Sequence, residues 1–140
     1  MDCLIIAPKL DGKVVGRMIE GMPGRLVRTR TVSSVLAATG SLVARTPDQI
    51  VILGDHDDGA LERFCDMADV MGCDQIIASS LTARVVTDRR TGARPVRFPV
   101  RDGQSVLQVI RASVARNAAS HAIRARYRRL APEGAHLLAG

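Results

Sequence analysis

Aromatic rings are nearly missing from this chain: 140 residues hold no tryptophan, one tyrosine and two phenylalanines. Single-stranded nucleic acids are commonly held by stacking bases on such rings, so binding of that kind is not expected. Cysteine is scarce as well. Cys3, Cys65 and Cys73 are odd in number and fall in apolar segments, which suits buried thiols in a reducing compartment better than a disulfide framework. Cys65 and Cys73 match no C-x-x-C spacing and His56, His121 and His136 are scattered, so neither a metal nor any other cofactor is expected. No apolar run approaches the ~18–20 residues needed to span a bilayer. The start, Met1-Asp2-Cys3-Leu4-Ile5-Ile6, has no basic region ahead of a long apolar stretch, as a secretory signal would have. The expected location is the cytoplasm, away from membranes.

Catalytic signatures are also wanting. A nucleophile elbow, a Ser/His/Asp order and paired carboxylates do not appear, and Gly12 and Gly16 do not follow the first strand at Walker or dinucleotide spacing. Asp55-His56 is an acid–base pair on paper, but two titratable neighbours in a loop are commonplace. The expectation is a protein that is not an enzyme.

What is present is enough apolar material, 46% of residues, to bury one core in a chain of single-domain size. Charge is divided unevenly. Up to Ala83 there are eight Lys/Arg against eleven Asp/Glu, and from Arg84 onward twelve Arg against three acids. A basic final third points either to a polyanion partner or to a solvated helix face.

Strand and helix patterns alternate. Leu4-Ile5-Ile6-Ala7 reads as a strand buried on both faces. Asp11 is placed to cap a helix carrying Val14, Val15, Met18, Ile19 and Met22, which Pro23-Gly24 ends. Arg25 to Arg30 reads as a more exposed strand. Thr31 is expected to cap a second helix with Val32, Val35, Leu36, Thr39, Leu42 and Val43 as its apolar stripe. Ile50-Val51-Ile52-Leu53 is the clearest buried strand. Asp58 is expected to cap a third helix with Leu61, Phe64, Cys65, Ala68 and Met71 on one face and Gly72 as its stop. Gln75 to Ser79 is a fourth strand.

Residues 82 to 100 admit two readings. In the first, Arg84-Val85-Val86-Thr87 and Pro95-Val96-Arg97-Phe98 form a hairpin around a loop ending in Gly92. In the second, a short helix precedes a fifth parallel strand. From Asp102 onward, Val106, Leu107, Ile110 and Val114 define an amphipathic helix. It continues as a basic segment with Ile123, Tyr127 and Leu130 on one stripe among Arg124, Arg126, Arg128 and Arg129. Short strands linked by helices form a parallel sheet covered on both sides, so the expected fold is a three-layer α/β sheet of about five strands.

Several segments in order resemble a response-regulator receiver domain, a doubly wound, flavodoxin-like fold. Pro47 to Leu53 followed by Asp57-Asp58-Gly59 resembles the third strand and the loop after it. Ile76-Ile77-Ala78-Ser79 resembles the fourth strand, and Gly92-Ala93 with Val96-Arg97-Phe98-Pro99-Val100 the stretch from the family's Gly-Ala to its Lys-Pro-Phe. Arg126 to Glu133 and Leu137-Leu138-Ala139-Gly140 look like the junction in FixJ-type regulators where a linker helix enters a helix-turn-helix domain. The expected organisation is a receiver-like domain over 1–116 with a basic linker helix and tail over 117–140. Such an ending implies a decayed regulator or one trimmed at the boundary.

The departures from the family govern the functional expectation. A receiver needs acids after strand one for Mg²⁺, an Asp nucleophile ending strand three, a Ser or Thr after strand four and a Lys after strand five. Here Ala7-Pro8-Lys9 occupies the acid position, Leu53 the nucleophile column and Phe98 the Lys column, while Ser79 is retained. Asp55 could act as a shifted phosphoacceptor, with Asp57 nearby, if strand three runs two residues further. The resemblance implies a role in two-component signal transduction. The first expectation is a phosphorylation-independent module that contacts a histidine kinase or the transcription machinery as a homodimer. Its surface would be the exposed side of Arg94 to Arg116, with Ile123, Tyr127 and Leu130. The alternative is a DNA-binding transcription regulator using Arg124, Arg126, Arg128 and Arg129 on phosphates.

Overall fold

The structure, a computed structural model, describes residues 1–24 and 26–130, apart from the side chain of Arg129. Its elements follow in the order β1 (Asp2–Ile6), α1 (Lys9–Glu20), β2 (Arg28–Val32), α2 (Val35–Ala44), β3 (Gln49–Leu53), α3 (Asp58–Val70), β4 (Asp74–Ala78), β5 (Val85–Arg89), β6 (Val96–Pro99) and α4 (Val106–Leu130). They build one six-stranded sheet in the order β2-β1-β3-β4-β5-β6. The first four strands are parallel, and β5 and β6 add antiparallel. The fold is α/β and compatible with a flavodoxin-like arrangement, but it has six strands where about five are expected from the sequence.

The apolar runs are central because both of their faces are covered. Cys3, Ile5, Ala7, Val51 and Leu53 turn toward α1 and α4, while Leu4, Ile6, Ile50 and Ile52 turn toward α2 and α3. Alternation along a strand divides each run between the two cores. All three cysteines are buried.

The hairpin reading holds. Val86 pairs with Phe98 and Asp88 with Val96, and the connection is closed by the Ala93 amide donating to the Arg90 carbonyl at 3.1 Å. A short helix before a fifth parallel strand does not form. Phe98 therefore stands on the edge strand β6, two strands from β4, and not in the column where a receiver carries its Lys.

Several helix starts differ from the sequence reading. Pro8, not Asp11, occupies the N-cap of α1, since its fixed φ suits the position. β2 runs to Val32 and absorbs Thr31, so Ser34 caps α2 by accepting from the Ala37 amide at 3.1 Å. Only Ala38 and Leu42 of α2 are buried, and Leu36 and Val43 face outward. Asp57, not Asp58, caps α3, its Oδ1 accepting from the Ala60 amide at 2.9 Å. α4 begins at Val106, where Ser105 Oγ accepts from the Gln108 amide at 3.2 Å and Gln108 Oε1 accepts from the Ser105 amide at 2.8 Å. This reciprocal pair is a capping box.

Close packing sets the position of α1. A Cβ on Gly12 would lie 2.5 Å from Thr31 Cγ2, and one on Gly16 3.5 Å from Thr29 Oγ1. The two glycines, one turn apart, let the helix lie directly on the edge of the sheet.

Candidate functional site

The carboxyl ends of parallel strands are where α/β sheets usually place chemistry. In this chain that rim is formed by Ala7-Pro8 after β1, Gly54-Asp55 after β3 and Ser79-Ser80 after β4. Ala7 is buried, and its amide donates to the Val32 carbonyl at 3.0 Å. Gly54 adopts a φ of 109°, a conformation open chiefly to glycine, and its amide donates to the Ala78 carbonyl at 3.2 Å. A Cβ there would meet the Pro8 ring at 3.4 Å and His56 Nε2 at 3.6 Å. His56 in turn donates from Nε2 to the Leu53 carbonyl at 3.0 Å. Pro8, Gly54 and His56 thus lie against one another at the ends of β1 and β3.

The carboxylates of the loop stand past the end of β3. β3 stops at Leu53 and the chain turns at Gly54, so the two-residue extension that would bring Asp55 onto the strand does not occur. Asp55 is exposed, Asp57 is engaged as the α3 cap, and Asp58 lies in the first turn of that helix. Ser79 is exposed and one residue past β4. Among the described residues no group of three His, Cys, Asp or Glu side chains could hold a metal ion.

A second candidate region is the far end of α4. This helix runs antiparallel to the central strands: Val106, Ile110, Val114 and Ala118 are buried against the sheet. Asn117 then donates to Gln49 at the start of β3, and His121 Nδ1 lies 3.7 Å from Asp48 Oδ1. After Ala118 no described residue of α4 is buried. Ile123, Tyr127 and Leu130 are 68%, 53% and 76% exposed, and their i, i+4, i+7 spacing lines them along one stripe. Arg124, Arg126 and Arg128 are exposed around that stripe, and among the described residues none of them enters a salt bridge. The side chain of Arg129 and the segment 131–140, with its junction-like ending, lie outside the described residues. α4 passes without a break through Arg116-Asn117, the position at which the sequence divides domain from linker.

The sequence reading also passed over Asp88, which it assigned to the hairpin loop. Asp88 belongs to β5, is 5% exposed and faces α4. Its signal was the alternation itself, because it lies two residues after Val86, on the same face.

Among the described residues no helix is long and apolar enough to cross a membrane. No family model matches the chain, and no curated protein or solved structure matches it either.

Proposed function

We propose that this chain is a receiver-like signalling module that regulates a protein partner, a histidine kinase or part of the transcription machinery, by contact and without phosphorylation. The observation that carries this reading is the make-up of the strand rim, where Ala7-Pro8-Lys9 follows β1 and β3 ends on Leu53. Pro8, Gly54 and His56 lie against one another there, and among the described residues no group of three His, Cys, Asp or Glu side chains could hold a cation. A phosphoryl group needs a nucleophile together with a cation to offset its charge. In this reading the module works in the cytoplasm as a homodimer, through the exposed stripe of α4.

The test is exposure to acetyl phosphate, and separately to beryllofluoride, with Mg²⁺. Amide NMR spectra and intact mass are expected to stay unchanged. A mass gain of one phosphoryl group that disappears in Asp55→Asn would overturn the reading in favour of a shifted phosphoacceptor.

A second reading draws support from the exposed arginines of the same helix. Arg124, Arg126 and Arg128 could contact duplex phosphates, giving salt-dependent affinity with little sequence preference. A gel-shift titration at low salt with wild type and an Arg124→Gln/Arg126→Gln/Arg128→Gln variant separates the two. Absence of a shift removes the DNA reading for this chain.

A further inference from the structure

Helix α2 is uncharged on every side. From Val35 to Ala44 it holds no Asp, Glu, Lys or Arg. Its inner face buries Ala38 and Leu42, but its outer face is Leu36, Ala37, Gly40, Val43 and Ala44, all of them exposed. Leu36 is 85% and Val43 69% exposed, and Val70 at the end of α3 is 88% exposed. The outward side of a surface helix is ordinarily polar, and an apolar one marks a contact made outside the chain. Beside it, between α2 and α3, runs a groove of about 310 Å³ lined by Val35, Leu36 and Thr39 on one side and by Arg63, Phe64 and Met67 on the other.

Gly40 stands in the middle of the outer face. Its φ is not positive, and a Cβ added to it would meet nothing within 4 Å. Neither the backbone nor packing inside the chain therefore calls for glycine, which weakens a helix and whose gain is close approach of another backbone. The α3 flank is acidic. Between Asp55 and Val70 stand six acids and one arginine, in a chain whose net charge is +6. Asp58, Glu62 and Asp66 are exposed on α3. Among the described residues only Asp66 of these three lies near a cation, Arg89 at 3.8 Å.

We propose that the α2–α3 face is a docking site for a basic amphipathic helix of a partner protein. Apolar side chains of that helix at i, i+4 and i+7 would lie along Leu36, Val43 and Met67, and its backbone would pass close to Gly40. Lysines or arginines beside the stripe would meet the exposed acids of α3, which outnumber Arg63 three to one. The face lies on the opposite side of the sheet from α4. It is separate from the strand rim and from the exposed end of that helix, so it stands whether or not the signalling reading does.

The test is titration of the full chain, followed by amide NMR, with a peptide made of the heptad Leu-Lys-Lys-Leu-Ala-Lys-Leu written twice. The same peptide with glutamate for every lysine is the control. Saturable binding of the basic peptide is expected, with shifts centred on Leu36, Gly40, Val43 and Val70 and with the acidic peptide about tenfold weaker or more. Leu36→Gln/Val43→Gln should weaken binding by about tenfold or more, as loss of apolar anchors does, while the unfolding midpoint stays close to wild type because both side chains are exposed. Gly40→Gln should raise the urea midpoint and yet weaken binding, a pair of opposite effects that a purely structural role for Gly40 would not produce. No saturable binding, equal binding of the acidic peptide, shifts centred on α4 or affinity unaltered in Leu36→Gln/Val43→Gln would overturn the proposal. So would shifts at the same positions that grow with protein concentration in the absence of peptide, which would give the face to a second copy of the chain.

Discussion

Asn117 of α4 donates its side-chain amide to Oε1 of Gln49, the first residue of β3, and both groups are buried. The bond joins residues 68 positions apart and fixes how far along the sheet the last helix lies. Gln49 spends its own donor on the Ile50 and Asp74 carbonyls at 3.0 and 3.2 Å, so Asn117 is what satisfies its acceptor. Asn117→Ala should therefore cost about 1–3 kcal/mol, the penalty of stranding a buried polar group. Urea unfolding should show a lower midpoint with an unchanged slope, because the surface exposed on unfolding is nearly the same.

The contact of α1 with β2 gives a prediction in which two substitutions do not add. Gly12→Ala places a methyl 2.5 Å from Thr31 Cγ2, and overpacking of this kind costs about 1–3 kcal/mol. Thr31→Ser removes the opposing methyl, so the double variant should recover most of that loss. Gly40 is the control. It lies in α2, where a methyl would find nothing within 4 Å, and Gly40→Ala should stabilise by about 0.5–1 kcal/mol. Equal effects of Gly12→Ala in the wild-type and Thr31→Ser backgrounds would show that Thr31 does not set the approach of the helix.

Much of the fold was legible because burial leaves a mark on composition. Ile50 to Leu53 is apolar at every position because both faces of β3 are covered, and Leu61, Phe64, Cys65 and Ala68 repeat at a helical period. The parts that were hidden depend on pairs of groups. Gly12 and Gly16, weighed in the sequence as elements of a phosphate loop, prove to be contact glycines, and only the position of Thr29 and Thr31 reveals it. Asp58 is the cap expected from the sequence, and the structure puts the cap one residue earlier, on Asp57. The resemblance to a receiver put Phe98 in the column of the Lys after strand five, whereas Phe98 lies on β6. The antiparallel β5 intervenes, and a pattern of alternating residues alone does not say which neighbour a strand will choose.

Choosing between the two aspartates gives the next prediction. Asp57→Ala removes the acceptor for the Ala60 amide and should cost about 1 kcal/mol, as loss of an N-cap generally does. Asp58→Ala should change stability by no more than about 0.5 kcal/mol, the scale of an exposed first-turn charge. Thermal or urea unfolding of the two variants side by side is sufficient, and the opposite ranking would return the cap to Asp58.

The thiols make stability fall at alkaline pH. Burial pushes Cys3 up to about 12, helped by the negative charge of Asp48, and burial likewise pushes Cys65 and Cys73 up to about 11. In the unfolded chain thiols ionise near the ordinary value of about 8.5, so above that pH the unfolded state holds fewer protons than the native one. Stability linked to these groups is complete below the unfolded value and is lost as pH climbs through 11–12. Cys3→Ala should flatten part of the decline in urea midpoint between neutral and strongly alkaline pH. At a pH of about 8, below that ordinary value, a thiol reagent should label none of the three cysteines until the chain is unfolded.

The exposed end of α4 carries the last prediction. Ile123, Tyr127 and Leu130 would each bury apolar surface if a second copy laid its own helix alongside, and a stripe at this spacing packs helix against helix. Arginines on both sides would repel an identical neighbour at low salt, so association should strengthen as added salt screens them. Sedimentation velocity over a range of protein concentrations should show a dimer whose population rises with salt. Ile123→Asp with Tyr127→Asp should leave a folded monomer, with far-UV dichroism and unfolding midpoint close to wild type because neither side chain is buried. A wild-type chain that sediments as a monomer at all concentrations and salts would remove the homodimer from the functional reading, leaving the same stripe free for an unlike partner.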